Sequence, residues 1–388
     1  MGLGVGGSDM RIALVIFTAR VFGGGNKFAA DLASALRDSG HDIAICAWDS
    51  PVDGRSHEEF LDIPSDKWFM PAFRYNLGKL YKITFNLSSA VRQCTGRFKP
   101  DIVINTTTEP SILRVVSPPT KRISFVHYPT ELTAYGHSLM HELYRSIYWW
   151  IHYKTIEDLD AVVCNSNYIK EITYLMWKCS LPDRTKYHTI YPCVDVNRFK
   201  GEERRERKVC CVGRIDKNKG IDMVVDAFLK AKGAVPEAKL EIIGGVKGSP
   251  WAEAYYPSLL LRLNQISDER ITLKTDVPSP EITRALMSSR CMANFNPEEH
   301  FGIVPVEAMA AGTPPIVADG GGQRETVLNG ETGYLVHSKD EMADAMVSLL
   351  SDDVAFAMMS RAGRSRAASV FSKEVFAKKW DDLFATLK

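Results

Sequence analysis

The 388-residue sequence has no apolar run that approaches the length of about 20 residues needed to cross a bilayer. Its formal net charge is only +1, so global charge favours no class of partner. The eight cysteines form no CxxC pair and no cysteine–histidine spacing suited to zinc, which predicts buried free thiols in a reducing cytoplasm. The opening residues, MGLGVGGSDM, lack the apolar segment of a signal peptide, so we expect a disordered extension or a natural start at Met10.

Short apolar runs alternate with amphipathic segments along the chain. In the first half, strand-like runs occur at 11–17, 43–48, 101–106, 122–127 and 161–166. The pattern restarts with KVCCVGR at 208–214 and continues through KLEIIGG, RITLKT, CMANFN and PPIVAD. Alternating strands and helices predict parallel sheets with helices on both faces. We therefore predict an α/β protein with two Rossmann-like domains that face each other across a cleft.

A charged segment that contains a proline, residues 191–208, separates the two patterns and is typical of a linker. We place the first domain at 1–194 and the second at 195–370. Residues 371–388 predict an amphipathic helix that begins after a serine cap, and we expect this helix to pack back on the first domain.

Ligands of parallel sheets bind beyond the carboxyl ends of the strands, so the residues after each strand are candidate site residues. The segment VGRIDKNKG, 212–220, places Arg214 and Lys219 where the first strand of the second half turns into a helix. A guanidinium and an ammonium beside a helix N-terminus suit a diphosphate. The alternative is a solvated loop with two exposed cations.

Two glutamates, Glu299 and Glu307, lie in the segment EEHFGIVPVEAMAAG at 298–312. Pro305 fits the first turn of a helix and Gly312 fits its end, which places Glu307 in the first helical turn. There Glu307 either stabilises the helix dipole or accepts hydrogen bonds from vicinal hydroxyls, as a ribose would donate. Glu299 is expected in the loop before this helix, at the cleft.

Glycine runs follow a strand in each half. ADGGGQRE, 318–325, contains Gly321 and Gly322, and GGGN in the first half contains Gly24 and Gly25. Three glycines are more than a flexible turn needs, and glycine lets a backbone approach a ligand closely. Neither run is GxGxxG, so a nicotinamide cofactor is poorly supported.

In their order along the chain, these motifs resemble those of the family 4 retaining glycosyltransferases of the GT-B fold, which include sucrose synthases and bacterial mannosyltransferases. GRIDKNKG is similar to the family signature GRxxxxKG, and Glu299 to Glu307 resembles its E-x7-E motif. The segments YPCVDVNRF and GETGYLV also match, although Cys193 stands where the family usually has glycine. FVHYPTE and EEHFGIVPVEAMAAGTP are most similar to the mannosyltransferases that elongate lipid-linked N-glycan precursors.

The resemblance implies a role for each candidate residue. Arg214 and Lys219 would hold the diphosphate of a nucleotide-sugar and stabilise the charge on the leaving phosphate. Glu307 would bind the ribose, and Glu299 would face the donor sugar. His127 would lie at the reaction centre, although a single histidine is more often structural. Further contacts to the donor would come from Gly24, Gly25, Phe301, Gly302, Ile303, Gly321, Gly322 and Gln323.

The implied reaction is a retaining, metal-independent transfer of a hexose, with mannose favoured, to a lipid-linked or other glycan acceptor. GDP-mannose is the favoured donor and a UDP-hexose is the alternative, with no cofactor. The pair of acids in Asp158-Leu159-Asp160 resembles a metal-binding motif, but it precedes a strand of the first half and is interpreted as surface. Other open functions are a soluble UDP-sugar transferase that makes a small glycoside or polysaccharide, an epimerase, and a non-catalytic sugar-nucleotide-binding protein.

The first half, which is the acceptor side in this family, is rich in cations and aromatics. Residues 67–99 contain seven cations and no acid, and LYRSIYWWIHYK at 143–154 adds further aromatics. Such a surface suits an anionic membrane and a polyprenyl-phosphate-linked acceptor, or else is a solvated basic face over core aromatics. We expect a cytoplasmic protein, peripheral on the cytosolic membrane face if the acceptor is a lipid. No nucleic-acid partner is expected, because no motif of such proteins occurs.

Overall fold

The computed structural model of the protein describes residues 9–20, 24–52, 56–71, 82–129, 131, 139–201 and 203–388. The chain forms two compact units. The first comprises Met1–Cys193 together with Lys373–Lys388, and the second comprises Val194–Ser372. Each unit is built on its own parallel sheet, so the architecture is the predicted pair of Rossmann-like α/β domains.

The strands are β1 Arg11–Val15, β2 Asp42–Cys46, β3 Trp68–Phe69, β4 Ile102–Asn105, β5 Lys121–Val126, β6 Ala161–Cys164, β7 Tyr187–Thr189, β8 Glu206–Val212, β9 Lys239–Gly244, β10 Ile271–Thr275, β11 Ser289–Ala293, β12 Pro315–Ala318 and β13 Tyr334–Val336. The helices are α1 Gly24–Asp38, α2 Glu58–Leu61, α3 Ser88–Arg97, α4 Leu139–Glu157, α5 Asn167–Trp177, α6 Ile221–Ala231, α7 Pro250–Ile266, α8 Ser279–Ser288, α9 Ile303–Ala310, α10 Gln323–Thr326, α11 Lys339–Ser351, α12 Asp353–Phe371 and α13 Lys373–Thr386.

The sheet of the first unit has seven strands in the order β3-β2-β1-β4-β5-β6-β7, all parallel. Its central strands are apolar because helices cover both faces. The terminal helix α13 belongs to this unit, and its Trp380 is fully buried. Polar contacts also attach the helix, since Lys373 donates to Ser34 Oγ at 2.7 Å and His41 Nε2 lies 2.8 Å from Asp381 Oδ1.

The sheet of the second unit has six parallel strands in the order β10-β9-β8-β11-β12-β13. Helix α6 buries its apolar stripe, including Val224 and Phe228, against this sheet. The carboxyl ends of β8, β11 and β12 lie side by side at one edge, and the loops that follow these strands carry the predicted motifs of the second half. The fold therefore collects residues that are distant in sequence at that edge.

Several sequence expectations differ from the structure. Most of the predicted strands end one to three residues earlier than the apolar runs suggest, whereas β10 ends with its run at Thr275. Gly24 and Gly25 are the first residues of α1 rather than a turn before it. Asp158 is exposed as predicted, whereas Asp160 is half-buried and accepts the amide of Arg122 at 2.8 Å.

The basic and aromatic segment 67–99 is only partly described. Trp68 and Phe69 are buried in β3, so for these two aromatics the core interpretation is correct. Residues 72–81, which include Arg74 and Lys79, lie outside the described residues. Within the part of the chain that the structure describes, no helix is long and apolar enough to cross a membrane.

Candidate functional site

Lys219 and Glu299 form an ion pair at the carboxyl edge of the second sheet. Lys219 ends the short 3₁₀ turn Lys217–Lys219 after β8, and Glu299 lies in the loop between β11 and α9. The ammonium of Lys219 donates to Glu299 Oε2 at 2.6 Å, and the two side chains are 23% and 18% exposed. Asn296 Nδ2 lies 3.3 Å from the same oxygen. Two predicted site residues that are 80 positions apart are thus in direct contact.

The surroundings of the pair keep Glu299 ionised. Burial alone raises the pKa of the Glu299 carboxyl, but the charge and hydrogen bond of Lys219 outweigh burial, so the pKa of Glu299 is lowered. Burial also lowers the pKa of the neighbouring His300, which favours a neutral ring. Because the pair is partly shielded from water, an anion beside Lys219 would be held more strongly than in bulk solvent.

The turn that carries Lys219 is closely packed, whereas Arg214 extends into solvent. Gly220 has a φ of +62°, and a Cβ at this position would lie 2.2 Å from the carbonyl oxygen of Phe295. Only glycine fits there. The Arg214 side chain is 61% exposed, and its Nε lies 3.3 Å from Asp216 Oδ2. Of the two predicted diphosphate ligands, Lys219 is therefore preorganised and Arg214 has to order its side chain on a ligand.

Glu307 lies on α9, but not where the sequence predicts. The helix begins at Ile303, after Gly302 in a left-handed conformation with φ +91°. Glu307 is therefore its fifth residue, and the placement in the first turn is wrong. Arg198 Nη1 lies 3.5 Å from Glu307 Oε1, and the Glu307 side chain is 22% exposed. An ion pair with Arg198 replaces the proposed interaction with the helix dipole.

The glycine run 320–322 packs on the backbone of residues 297–301. A Cβ on Gly321 would lie 2.2 Å from the carbonyl oxygen of Glu299, and one on Gly322 would lie 2.3 Å from that of His300. The amide of Gly322, predicted to contact a donor, instead donates to the Glu299 carbonyl at 2.7 Å. The glycines thus hold the loop that carries Glu299.

The other predicted donor contacts of the second unit lie around this loop. Phe301 is buried and its ring is 5.9 Å from that of Phe371. Ile303 is half-buried at the start of α9. Gln323 is fully buried and donates through Nε2 to Asn294 Oδ1 at 3.0 Å. These side chains pack within the protein and shape the loops. Any contact of these three residues with a donor would therefore be made by their backbone groups.

His127 and Gly25 come together in the first unit. His127 follows β5, and a Cβ built on Gly25 would lie 3.8 Å from His127 Nε2. The His127 ring packs edge-on against Phe28 and Phe125, with centroid distances of 5.2 and 4.8 Å. Gly24 and Gly25 are both exposed. This geometry agrees with a histidine that faces the glycine start of α1.

A buried charge network lies in the first unit, and sequence reasoning missed it. His152 Nδ1 is 3.1 Å from Glu109 Oε1, and its Nε2 is 3.0 Å from Glu131 Oε1. Trp177 Nε1 donates to Glu131 Oε1 at 2.6 Å, and the Tyr148 hydroxyl donates to Glu109. The side chains of His152, Glu109 and Glu131 are 0%, 2% and 7% exposed. The sequence held one signal for this network, because Glu131 is the last residue of the motif FVHYPTE. Arg198, the partner of Glu307, was also missed, although it lies within the motif YPCVDVNRF.

Two family models together match residues 22–366 of the chain. Residues 22–198 match the model described as Glycosyltransferase Family 4, and residues 195–366 match the model described as Glycosyl transferases group 1. Together they cover most of both units, and the second model contains all the motifs of the second sheet. The order of motifs along the chain and the two sheets therefore agree with the same family.

Curated relatives match nearly the whole chain. An α-1,3/1,6-mannosyltransferase of Neurospora crassa is 23% identical over 99% of this chain and 92% of its own length. The α-1,3/1,6-mannosyltransferase of Kluyveromyces lactis is 26% identical over 93% of this chain and 82% of its own.

Solved structures share the fold at low identity. HepE from Anabaena, crystallised with UDP and glucose, is 16% identical with a TM-score of 0.72 and covers 97% of this chain and 100% of its own. Sucrose-phosphate synthase from Thermosynechococcus elongatus is 21% identical with a TM-score of 0.73, covering 97% of this chain and 99% of its own. From its motifs, its sheets and these matches, the chain belongs to glycosyltransferase family 4 and has the GT-B fold.

Proposed function

We propose that this glycosyltransferase transfers a mannosyl group, with retention of configuration, from a nucleotide-sugar to a glycan acceptor. The observation that carries the site assignment is the contact between Lys219 and Glu299 at the carboxyl edge of the second sheet. The relatives named as α-1,3/1,6-mannosyltransferases support mannose as the transferred sugar.

Lys219 is the proposed electrostatic catalyst. When the bond from the sugar to the diphosphate breaks, negative charge grows on the leaving phosphate, and a fixed ammonium beside it lowers the barrier. In the structure, Glu299 neutralises that ammonium. A bound diphosphate would share the ammonium, and Arg214 would add a second cation from its exposed position. Glu299 would then be available to hydroxyls of the donor sugar.

The remaining residues have binding roles in this proposal. Glu307 accepts hydrogen bonds from the ribose hydroxyls. His127 and Gly25 are the candidate residues of the first unit, where the imidazole lies beside Gly25 at the start of α1. The proposed mechanism uses no metal and no cofactor, since the ammonium and guanidinium supply the charge that a metal ion would supply.

The nucleotide is tested by thermal shift with GDP, UDP and ADP, each with and without EDTA. A ligand that binds only the folded protein raises its melting temperature. We expect stabilisation by GDP that EDTA leaves unchanged, which would support GDP-mannose as the donor. Stabilisation by UDP instead would favour a UDP-hexose, the class of donor for which the fold neighbour HepE with bound UDP is an example.

The matched variants for this test are Glu307→Ala and Lys217→Ala. Glu307→Ala should reduce the shift, whereas Lys217→Ala, in the same turn as Lys219 but exposed, should preserve it. A protein that none of the three nucleotides stabilises would contradict the proposed donor site.

We further propose that the acceptor is a polyprenyl-phosphate-linked glycan at an anionic membrane surface. Support comes from two large apolar side chains in the first unit, Trp150 on α4 and Leu175 on α5, which are 65% and 60% exposed. The exposed Lys178 caps the end of α5. An exposed tryptophan, together with an exposed leucine one helical turn before a cation, suits the interface of an anionic bilayer.

Co-sedimentation with vesicles tests this surface. We expect the protein to bind vesicles that contain anionic lipid, and the double change Trp150→Ser with Leu175→Ser to reduce the bound fraction severalfold. The control Trp251→Ser removes an exposed tryptophan of the second unit and should have no effect. Equal binding of all three proteins, or none by the wild type, would refute the membrane contact at this position.

A further inference from the structure

Arg198 is held in place by groups other than the glutamate it faces. It lies in the 3₁₀ turn Val196–Phe199 of the second unit. Its Nε donates to Thr283 Oγ1 at 2.7 Å, and its Nη2 donates to the carbonyl oxygen of Ser279 at 3.2 Å. Both partners belong to α8. The guanidinium also lies 5.4 Å from the ring of the buried Phe199.

These contacts fix the direction of the remaining donor. The guanidinium is planar, so anchoring Nε and Nη2 on α8 determines where Nη1 points. That atom lies 3.5 Å from Glu307 Oε1. The Arg198 and Glu307 side chains are 29% and 22% exposed, so the pair is partly shielded from solvent. Arg198 is therefore a preplaced cation at one oxygen of the Glu307 carboxylate.

We propose that Arg198 is a positioning residue that makes Glu307 selective for a nucleotide with an intact ribose diol. An ionised carboxylate offers about four acceptor sites. Arg198 can therefore pair with Oε1 while the same carboxylate accepts hydrogen bonds from two hydroxyls. The ion pair also fixes the plane of the carboxylate in which those hydrogen bonds are accepted. The inference rests on the proposed function, in which Glu307 accepts the ribose hydroxyls.

The consequence differs from that of a purely structural arginine. If Arg198 only stabilised the fold, its removal would weaken all nucleotides alike. If it positions Glu307, its removal weakens the ribonucleotide more than the 2′-deoxy analogue, because the analogue keeps only one of the two hydroxyls that Glu307 would accept. A hydrogen bond from the 2′-hydroxyl to the charged Glu307 corresponds to about a 10- to 100-fold higher affinity for the nucleotide with the intact diol.

The test is isothermal titration with whichever of GDP or UDP binds the wild type more tightly, and with the 2′-deoxy form of the same nucleotide. For Arg198→Met we expect the affinity for the ribonucleotide to fall about 10-fold and the ratio of the two affinities to approach one. Arg198→Lys, which keeps the charge without the planar fork, should recover only part of the ratio. Thr283→Val, which removes the anchor of Nε, should lower the ratio without deleting the guanidinium.

Glu307→Gln and Arg284→Met complete the design. Arg284 is an exposed arginine that follows Thr283 on α8, and its removal should leave both affinities unchanged. If Glu307→Gln abolishes the preference but Arg198→Met and Thr283→Val keep it, the inference is wrong while the ribose role of Glu307 stands. If Glu307→Gln itself keeps the preference, that role fails and the inference fails with it.

Discussion

Replacing Lys219 by methionine is expected to lower kcat/KM for sugar transfer by about 100- to 1,000-fold, the usual loss when one preorganised electrostatic group is removed. Methionine keeps most of the apolar stem, which passes about 4 Å from the position that a Cβ on Gly213 would take, so the turn should retain its packing. The missing ammonium leaves the charge on the departing phosphate without its partly buried partner. Steady-state kinetics with GDP-mannose and a glycan acceptor measure the effect.

The same change leaves the half-buried Glu299 without its counter-ion. A loss of stability would then lower the activity for a reason unrelated to the leaving phosphate. The double variant Lys219→Met with Glu299→Gln separates the two effects, because it removes both charges. We expect it to melt close to the wild-type temperature and to remain inactive. Lys217→Met, which removes an exposed cation from the same turn, should keep full activity. Wild-type kcat/KM in Lys219→Met would refute the proposed role of the ammonium.

The contact between Lys219 and Glu299 shows how far sequence could lead. Both residues belong to motifs that follow predicted strands, and parallel strands bring their carboxyl ends to one edge. Most of the strands, which have four to seven residues, could be recognised in the sequence from their apolar runs. The short edge strands β3, β7 and β13, with two or three residues each, carry too little periodic signal to be recognised.

Local backbone geometry explains the wrong placement of Glu307 and the packing of the glycine run. Pro305 is tolerated anywhere in the first helical turn, so it does not fix the first residue of α9. The positive φ of Gly302 sets the start of α9 at Ile303. Glu307 therefore lies beyond the first turn of the helix. The glycine run likewise predicted a contact surface for a ligand. In the structure, the lack of side chains on these glycines lets the backbone of residues 297–301 pack against the run. A sequence shows that a close approach is allowed but not what approaches.

Ion pairs between distant segments were the part that sequence did not predict. Arg198 and Glu307 are 109 positions apart, and each is an ordinary charged residue in an amphipathic context. The partners of His152 are 43 and 21 positions away. In a sequence, a buried charge looks the same as a solvated one, because burial depends on packing that forms only in the fold.

The network around His152 makes the stability of the first unit depend on pH. Burial lowers the pKa of His152, but hydrogen bonds and charge from Glu109 and Glu131 outweigh burial and raise it to about 9. The folded protein thus holds this proton more tightly than the unfolded chain, where a histidine titrates near 6.5. The stabilisation is fully present below pH 6.5 and is lost as the pH rises through about 9.

The expected loss is about 3 kcal/mol of unfolding free energy between these limits. That is a large fraction of the stability of a single domain, typically about 5–15 kcal/mol. Urea unfolding at pH 6, 7.5 and 9.5, followed by tryptophan fluorescence, measures the change, since Trp177 contacts Glu131 directly. A free energy that stays constant or rises over this range would contradict the network.

Replacing His152 by phenylalanine should cost about 3–5 kcal/mol at neutral pH, because two buried carboxylates lose their shared counter-ion. The variant should also lose most of the decline above pH 6.5. His337→Phe, at a side chain that is 65% exposed, should change neither property. Adding Glu109→Gln and Glu131→Gln to His152→Phe removes the orphaned charges and should recover part of the stability.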